Sequence, residues 1–302
     1  LAWADVEGDG DLDLGVGADF APLRLFENVG GVLQPHPIWT SGDADRVNAL
    51  AWGDVNGDGY PDIYVSNDFF ERDYLYINQQ NGTFKDELED YVQHTSLASM
   101  GADMQDINND GYPDIFTTDM LPDNDYRLKT TASFDNYDVY HLKEKSGFYH
   151  QFMQNTIQLN NQDGKFMEIA NYAGVEASDW SWGALMFDAD NDGYNDLYVC
   201  NGIAHDLTNQ DFIDYFANDI VQRMALTGQK GEVDEIINKM PSTPLKNKLF
   251  RNEGNLRFKD VGDAWGFTQP SFSNGAAYGD LDNDGDMDLV DRRWLTIKSR
   301  NP

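Results

Sequence analysis

The sequence is poor in cysteine and in positive charge. Its 302 residues include one cysteine, Cys200, so an intrachain disulfide is excluded and stability has to come from packing and bound metal. Lysine and arginine number 21 against 53 aspartates and glutamates, which gives a net charge of −32. A phosphate backbone needs a basic surface to displace its counterions, so nucleic acid is excluded as a general partner. Anionic membranes are disfavoured on the same ground.

Long apolar runs are also missing. No stretch approaches the ~20 apolar residues that a membrane helix requires, so no direct membrane insertion is predicted. No signal peptide is present, and the sequence starts at Leu1 in the middle of a repeat. We therefore expect a mature or truncated segment whose export signal has been lost.

Catalytic fingerprints do not occur either. The sequence has no metalloprotease helix motif, no nucleophile elbow, no phosphate-binding loop and no dinucleotide-binding glycine motif. Five scattered histidines are present, of which His141 and His150 are the first candidates if a site exists: His36, His94, His141, His150 and His205. No catalytic residue and no organic cofactor are predicted.

The most informative feature present is a nine-residue pattern, Asp-x-(Asp/Asn/Glu)-x-Asp-Gly-x-x-Asp, which occurs five times. The copies are loop 1 (residues 5–13), loop 2 (54–62), loop 3 (106–114), loop 4 (188–196) and loop 5 (280–288). Asp-Gly pairs are common turn formers, but turn chemistry requires no carboxylate beyond the glycine. Oxygen ligands around a tightly turning glycine are what a hard cation with six to eight oxygen ligands requires.

The repeated pattern therefore predicts about five Ca²⁺ ions. The predicted metal ligands occupy positions 1, 3, 5, 7 and 9 of each loop: Asp5, Glu7, Asp9, Asp11 and Asp13; Asp54, Asn56, Asp58, Tyr60 and Asp62; Asp106, Asn108, Asp110, Tyr112 and Asp114; Asp188, Asp190, Asp192, Tyr194 and Asp196; Asp280, Asp282, Asp284, Asp286 and Asp288. Five such ions would change the net charge from −32 to −22. Because clustered carboxylates repel one another, we expect the calcium to be structural.

The flanking residues distinguish these loops from EF-hands. An EF-hand places a bidentate glutamate at position 12 and continues into a helix. Position 12 here is Val16, Val65, Thr117, Val199 or Asp291, and short β-type runs follow each loop. The loops are therefore predicted to join strands, which also disfavours a dockerin-like module.

A second motif, an apolar strand ending in asparagine followed by a turn and an aromatic or apolar residue, lies between the loops. Its copies pair Asn28 with Leu33, Asn78 with Phe84, Asn160 with Phe166 and Asn252 with Phe258. Each predicts a β-hairpin. The repeat is about fifty residues long with four short strands, which fits one propeller blade.

Two insertions interrupt this repeat. The first, at about 119–155, has no clean period and is predicted to be a long loop. The second, at about 203–247, is predicted to be helical, because Phe212, Phe216, Ile220 and Met224 recur every four residues after the capping candidates Asn209 and Asp211. A shorter helix is predicted over 232–240. The insertions either carry binding function or cover a blade edge.

Loops and hairpins occur in one order over Leu1 to about Val290, together with an Ala-Gly-Val or Trp-Gly-Phe step at 173–175 and 265–267. In this the sequence resembles the FG-GAP/VCBS repeat proteins, in particular the bacterial surface proteins similar to cartilage acidic protein, and the integrin α-subunit propeller. The resemblance implies an all-β fold, a seven-bladed β-propeller with calcium in its hairpin loops, and binding by the faces of the disc. Only five loops are present, so residues 1–302 are expected to form one propeller domain or a propeller fragment.

These features predict a calcium-binding module for protein or glycan at the cell surface. Loops of this kind fill at the calcium concentrations found outside the cytoplasm, so an extracellular, periplasmic or cell-surface location is expected. The alternative is a propeller-type polysaccharide-active enzyme, a lyase or hydrolase, or a lectin. A carboxylate bound to Ca²⁺ is a poor general acid, which favours the binding module.

Overall fold

The computed structural model describes residues 1–18, 20–42, 47–68, 71–131, 136–206, 208–214, 237 and 239–294. In chain order its strands are β1 (Ala2–Ala4), β2 (Asp13–Ala18), β3 (Ala21–Phe26), β4 (Asn28–Val29), β5 (Val32–Leu33), β6 (Trp39–Thr40), β7 (Val47–Gly53), β8 (Asp62–Asn67), β9 (Tyr74–Asn78), β10 (Phe84–Asp86), β11 (Thr95–Ser96), β12 (Gly101–Gln105), β13 (Asp114–Thr118), β14 (Gln151–Phe152), β15 (Thr156–Asn160), β16 (Phe166–Glu168), β17 (Ser181–Phe187), β18 (Asp196–Asn201), β19 (Lys248–Asn252), β20 (Phe258–Asp260), β21 (Phe272–Gly279) and β22 (Asp288–Trp294). The helices are α1 (Leu88–Tyr91), α2 (Asp125–Thr130), α3 (Tyr137–Lys145), α4 (Ala170–Ala173) and α5 (Gln210–Phe212).

Most strands in this part of the chain belong to four antiparallel sheets of four strands each. Sheet 1 has the order β1-β2-β3-β6, sheet 2 β7-β8-β9-β10, sheet 3 β12-β13-β15-β16 and sheet 4 β17-β18-β19-β20. Strands β21 and β22 pair as sheet 5, which has two strands within the described ranges. The all-β class with four-stranded units is confirmed, and the arrangement is propeller-like. None of the helices described combines the length and apolar character that a membrane-spanning segment requires.

The first strand of each sheet packs beside the first strand of the next. The approach is closest at Gly101 in β12, where an added Cβ would lie 2.7 Å from backbone atoms of Trp182 and Ala184 in β17. Glycine is therefore required there for steric reasons. Near it, the backbone N–H of Met186 donates to the partly buried carboxylate of Asp103 at 2.8 Å, so β12 and β17 are also joined by a hydrogen bond.

The hydrophobic core consists of layers between neighbouring sheets. In β13, Ile115 faces the layer between sheets 2 and 3, whereas Phe116 faces the layer between sheets 3 and 4. Both side chains are fully buried. Adjacent strand residues point to opposite faces, so a strand with a sheet on each side buries consecutive apolar residues. Burial of each such side chain contributes roughly 2–3 kcal/mol.

The predicted hairpins are confirmed. Asn78 pairs with Phe84, Asn160 with Phe166 and Asn252 with Phe258, so each hairpin supplies the third and fourth strands of a sheet. In sheet 1 the corresponding pair, Asn28 with Leu33, forms the separate β4–β5 hairpin, and β6 supplies the fourth strand instead.

The prediction that the first insertion is a long loop was wrong, because it contains α2 and α3. Asn124 and Asn136 cap these helices by accepting hydrogen bonds from the backbone N–H groups of Arg127 and Val139. Neither helix buries a residue, so neither needs the apolar period that would have revealed it. The capping asparagines and the exposed polar residues are the only local sequence signals for these two helices.

The second insertion begins as predicted, with Asn209 capping α5 by accepting from the Phe212 backbone N–H at 2.9 Å. The remaining residues of the predicted helix, Phe216, Ile220 and Met224, lie outside the described residues, as does most of the helix predicted over 232–240.

Both insertions connect the second and third strands of a sheet, whereas the acidic loops connect the first and second. In an antiparallel sheet these connections lie at opposite ends, so the insertions lie on the face opposite the loops. Arg127 of the first insertion joins them, because its guanidinium forms ion pairs with Asp179 at 3.0 Å and with Asp206 of the second insertion. Thr131 and Asn209 also form a β-bridge. The two insertions thus contact each other directly.

Candidate metal-binding loops

Each acidic loop is a tight turn between the first two strands of its sheet. The glycine at position 6 has a positive φ in every copy, between 89° and 94°. Position 4 is also left-handed and is always Gly or Asn: Gly8, Gly57, Asn109, Asn191 and Asn283. These are the residue types that adopt this conformation at low cost.

The aspartate at position 1 holds the turn closed. In loop 4, Asp188 accepts hydrogen bonds from the backbone N–H groups of Asp192 at 3.1 Å and Gly193 at 2.8 Å. The bonds to positions 5 and 6 recur in the other loops, made by Asp5, Asp54, Asp106 and Asp280. The aspartate at position 5 accepts from the N–H of position 7 in all five loops. The turn therefore orients these carboxylates through its own backbone.

The aspartate at position 9 is the first residue of the second strand. In loop 3 its two carboxylate oxygens accept the backbone N–H groups of Ile107 at 2.9 Å and Asn160 at 2.8 Å. Asp13, Asp62 and Asp196 make the equivalent pairs of bonds. All four are fully buried, whereas Asp288 in the two-stranded sheet 5 is exposed. In sheets 2, 3 and 4, position 9 thus connects the loop to the third strand of its sheet, and in sheet 1 it connects the loop to β4.

Burial has an electrostatic consequence at position 9. It raises the pKa of Asp62 and Asp114 to about 7 and that of Asp196 to about 6, although the backbone hydrogen bonds oppose the shift. The neighbouring loop carboxylates raise these pKa values further. At loop 1, partial burial, a hydrogen bond to Asp13 and nearby carboxylates raise the pKa of Glu7 to about 7. A bound cation would favour the charged forms of these groups.

Two loops bring three carboxylates together. Within the described residues, ligand oxygens of Asp188, Asp190 and Asp196 in loop 4 lie within 4.8 Å of one another, and those of Asp280, Asp282 and Asp288 in loop 5 do the same. Calcium binds oxygen at 2.3–2.6 Å, so two ligands on opposite sides of one ion are about 5 Å apart. The donor set and its spacing therefore fit Ca²⁺. These groups contain positions 1, 3 and 9.

The other predicted ligands are placed differently. Asn56 and Asn108 at position 3 donate their side-chain N–H to Asp58 and Asp110, both at 3.0 Å. The side chains at position 7 have other contacts: Asp11 accepts from the Gly30 N–H, and the Tyr112 ring lies against Gly57 of loop 2. Position 7 would therefore offer a metal its backbone carbonyl, as it does in calcium loops of other proteins. The ligand assignments remain predictions.

The sequence did not reveal the function of the asparagine that ends the third strand. The Asn160 side-chain N–H group donates to the Val55 carbonyl in loop 2 at 2.8 Å, and that of Asn252 donates to the Ile107 carbonyl in loop 3 at 2.9 Å. Asn78 donates to the Val6 carbonyl in loop 1 in the same way, at 3.4 Å. Each asparagine thus binds position 2 of the loop in the preceding sheet. Its regular recurrence was the available signal.

Adjacent loops also contact each other directly. Asn109 of loop 3 donates to the Gly193 carbonyl of loop 4 at 2.9 Å, and Asn195 of loop 4 donates to the Asp106 carbonyl at 2.8 Å. Asn191 of loop 4 donates to the carboxylate of Asp286 in loop 5. Loops 3, 4 and 5 therefore form one continuous polar surface.

Asp73, a buried acid outside the loops, acts as a structural acceptor. Asp73 is fully buried and accepts from the Tyr64 hydroxyl and Ser99 hydroxyl, both at 2.6 Å, and from the Asn67 N–H at 2.9 Å.

His141 and His150 lie 3.0 and 3.7 Å from the Glu144 carboxylate. Neither histidine belongs to a group of three candidate metal ligands in the part of the chain described.

The buried carboxylates predict that the metal-free protein is more stable at acid pH. Burial raises the pKa of Asp119 from 3.8 to about 7 and that of Asp103 from 3.8 to about 6. Between about pH 4 and pH 7 the folded state then binds more protons than the unfolded state, so the free energy of unfolding falls as the pH rises through this window. In EGTA we expect the melting temperature, followed by circular dichroism, to be roughly 5 °C or more higher at pH 5 than at pH 8.

Two variants test the source of this pH dependence. Asp119→Asn removes a buried titrating group, so its melting temperature should vary less between pH 5 and pH 8. Asp138→Asn, on the exposed surface of α3, serves as the control and should follow the wild type. A wild-type melting temperature that rises from pH 5 to pH 8 would contradict the prediction.

Four-stranded sheets in series, each with an acidic turn between its first two strands, define a β-repeat protein of the propeller-like class. The FG-GAP-like repeat matches residues 5–65, 55–117 and 233–290, which together cover more than half of the chain. The chain therefore belongs to the FG-GAP-like repeat family.

Comparison with curated proteins gave no match. Among solved structures, the chain is similar to a lectin of Agrocybe aegerita that specifically recognises non-reducing terminal N-acetylglucosamine. That similarity has a TM-score of 0.36 and 15% sequence identity, and it covers 86% of this chain and 64% of the lectin. The chain thus spans less than two thirds of the lectin's length.

Proposed function

We propose that this chain is a calcium-stabilised propeller module that binds a protein or glycan ligand outside the cytoplasm and catalyses no reaction. The observation that carries the metal assignment is the convergence of three carboxylates within 4.8 Å in loops 4 and 5. The same nine-residue pattern in three further loops extends it to about five ions. Seven blades in the intact protein, as in the propellers that the sequence resembles, are part of this proposal.

The topology favours metal binding on one face of the molecule and ligand binding on the other. Metal on the loop face would neutralise carboxylates that connect strands and neighbouring sheets. The opposite face carries the two insertions, which are joined by the ion pair between Arg127 and Asp206. Binding surfaces are commonly presented by such excursions from a rigid scaffold. We therefore assign ligand contact to the insertion face.

Exposed aromatic side chains support this assignment. Tyr126 of α2 is 71% exposed and Tyr137 of α3 is 78% exposed. Large aromatic side chains contribute strongly to recognition, because they offer contact area at a low entropic cost. Leu128 and Leu142 on the same helices are also exposed, so the surface combines aromatic and aliphatic groups.

The test is a glycan and surface-protein array probed in calcium and in EGTA. We expect calcium-dependent binding that falls by about tenfold or more in the Tyr126→Ala/Tyr137→Ala double variant, the loss expected for removing anchor side chains. Tyr172→Ala is the matched control, because Tyr172 is 53% exposed but lies on α4, outside both insertions. New reducing ends or unsaturated products from a polysaccharide panel would show an enzyme and overturn the proposal.

A further inference from the structure

One of the acidic loops already holds a positive charge. In loop 4 the Arg251 guanidinium donates to Asp190 at 2.6 Å and to Asp192 at 2.8 Å. Asp190 also belongs to the group of three carboxylates whose oxygens converge in this loop. The same carboxylate is therefore shared between a guanidinium and the proposed metal site.

Each of the four-stranded sheets has a residue that corresponds to Arg251. Arg251 directly precedes Asn252, the last residue of the third strand. The backbone N–H of Asn252 donates to Asp196, the position 9 aspartate. The equivalent residue is Glu27 in sheet 1, Ile77 in sheet 2 and Leu159 in sheet 3. Glu27 lines the same cavity as Glu7, the position 3 residue of loop 1. The residue before this asparagine is thus an acid in sheet 1, an aliphatic residue in sheets 2 and 3 and a base in sheet 4, beside otherwise similar loops.

We propose that Arg251 is an internal competitor for the loop 4 cation, so that this loop binds calcium more weakly than its carboxylates alone would allow and fills last. This inference rests on the proposed calcium-binding function. For calcium to enter, the guanidinium has to leave Asp190 and Asp192 or remain within several ångströms of a divalent ion. At that distance, and with the side chain 42% exposed, charge repulsion weakens binding by a factor on the order of ten.

Weaker calcium binding by loop 4 would also affect the neighbouring loops. Loop 4 contacts loop 3 through Asn109 and Asn195, and loop 5 through Asn191. When calcium enters loop 4, Asp190 exchanges its ion pair with Arg251 for a bond to the metal. This exchange takes place between loops 3 and 5, which loop 4 contacts on either side. Loop 4 is then the site that responds to calcium after the remaining loops are occupied.

Calorimetric calcium titration of the full chain tests this competition. Arg251→Ile installs the sheet 2 residue, and we expect it to raise the affinity of one site about tenfold without changing the stoichiometry. Lys259→Ile is the matched control. Lys259 is exposed and pairs with Arg251 from β20, so this substitution removes one positive charge at a position one strand further from the loop. It should change no site more than about twofold, because an exposed charge at that distance is largely screened by salt.

Two further measurements separate competition from a structural role. In EGTA, Arg251→Ile should melt slightly lower than the wild type, because Asp190 and Asp192 lose their partner; a purely structural arginine would not also raise calcium affinity when removed. The gain should disappear when Asp188→Asn is added and persist when Asp280→Asn of loop 5 is added instead. Unchanged or weaker calcium binding by Arg251→Ile would overturn the inference alone, whereas a wild type that takes up no calcium would overturn the proposed function.

Discussion

Replacing Asp114 with alanine is expected to lower the free energy of unfolding by about 3–5 kcal/mol. The Asp114 carboxylate is fully buried and accepts the backbone N–H groups of Ile107 and Asn160, one on each oxygen. Alanine leaves both donors buried without an acceptor, and each such loss costs about 1–3 kcal/mol. The measurement is urea denaturation in EGTA, so that loss of a bound metal does not contribute.

Two comparisons show whether the buried hydrogen bonds cause this effect. Asp163→Ala removes an exposed aspartate from the turn between β15 and β16 of the same sheet and should cost less than about 0.5 kcal/mol. Asp114→Asn keeps the shape and one acceptor but turns an amide N–H toward a backbone donor, so it should lie between the two. Equal stability of Asp114→Ala and Asp163→Ala would show that position 9 does not hold the sheet together.

Calcium removal is expected to have the second large effect, a melting temperature at least ~10 °C lower in EGTA than in 10 mM CaCl₂. A ligand present at 100 times its Kd stabilises the folded state by about 2.7 kcal/mol per site. With a Kd of about 10⁻⁴ M, 10 mM calcium reaches that ratio. Several sites of this affinity add up to a stabilisation comparable to that of a whole domain.

The matched control replaces calcium with magnesium at the same concentration. Magnesium requires a smaller octahedral shell and gives up its water reluctantly, so it should restore only part of the lost stability. Sodium chloride at equal ionic strength accounts for simple screening of the −32 net charge. Identical melting temperatures in EGTA and in calcium would contradict a structural role for metal.

Local patterns predicted much of this structure. The spacing of Asp280, Gly285 and Asp288 is enough to specify a turn between strands, because position 1 bonds the backbone within the same nine residues. The hairpins followed from strand-turn-strand patterns of similar length. The consecutive burial of Ile115 and Phe116, which face opposite core layers, follows once a strand has a sheet on each side. These features depend on neighbours in sequence or on a repeated unit.

The remaining features depend on partners that sequence spacing does not identify. Asn160 binds a carbonyl 105 residues away and Asn252 one 145 residues away, and nothing local specifies either partner. Arg251 reads as an ordinary strand residue until the fold brings it to Asp190, 61 positions earlier. Helices α2 and α3 escaped prediction because they bury no residue, which removes the apolar period on which helix prediction relies.

The asparagine contacts between sheets give the chain a direction of assembly. Val6 in the first sheet receives its hydrogen bond from Asn78, Val55 in the second from Asn160, and Ile107 in the third from Asn252. During synthesis, each of these loop carbonyls therefore lacks its asparagine donor until the third strand of the next sheet has been made. We therefore expect the sheet made last to be the least protected against hydrogen exchange and proteolysis while the chain is being synthesised.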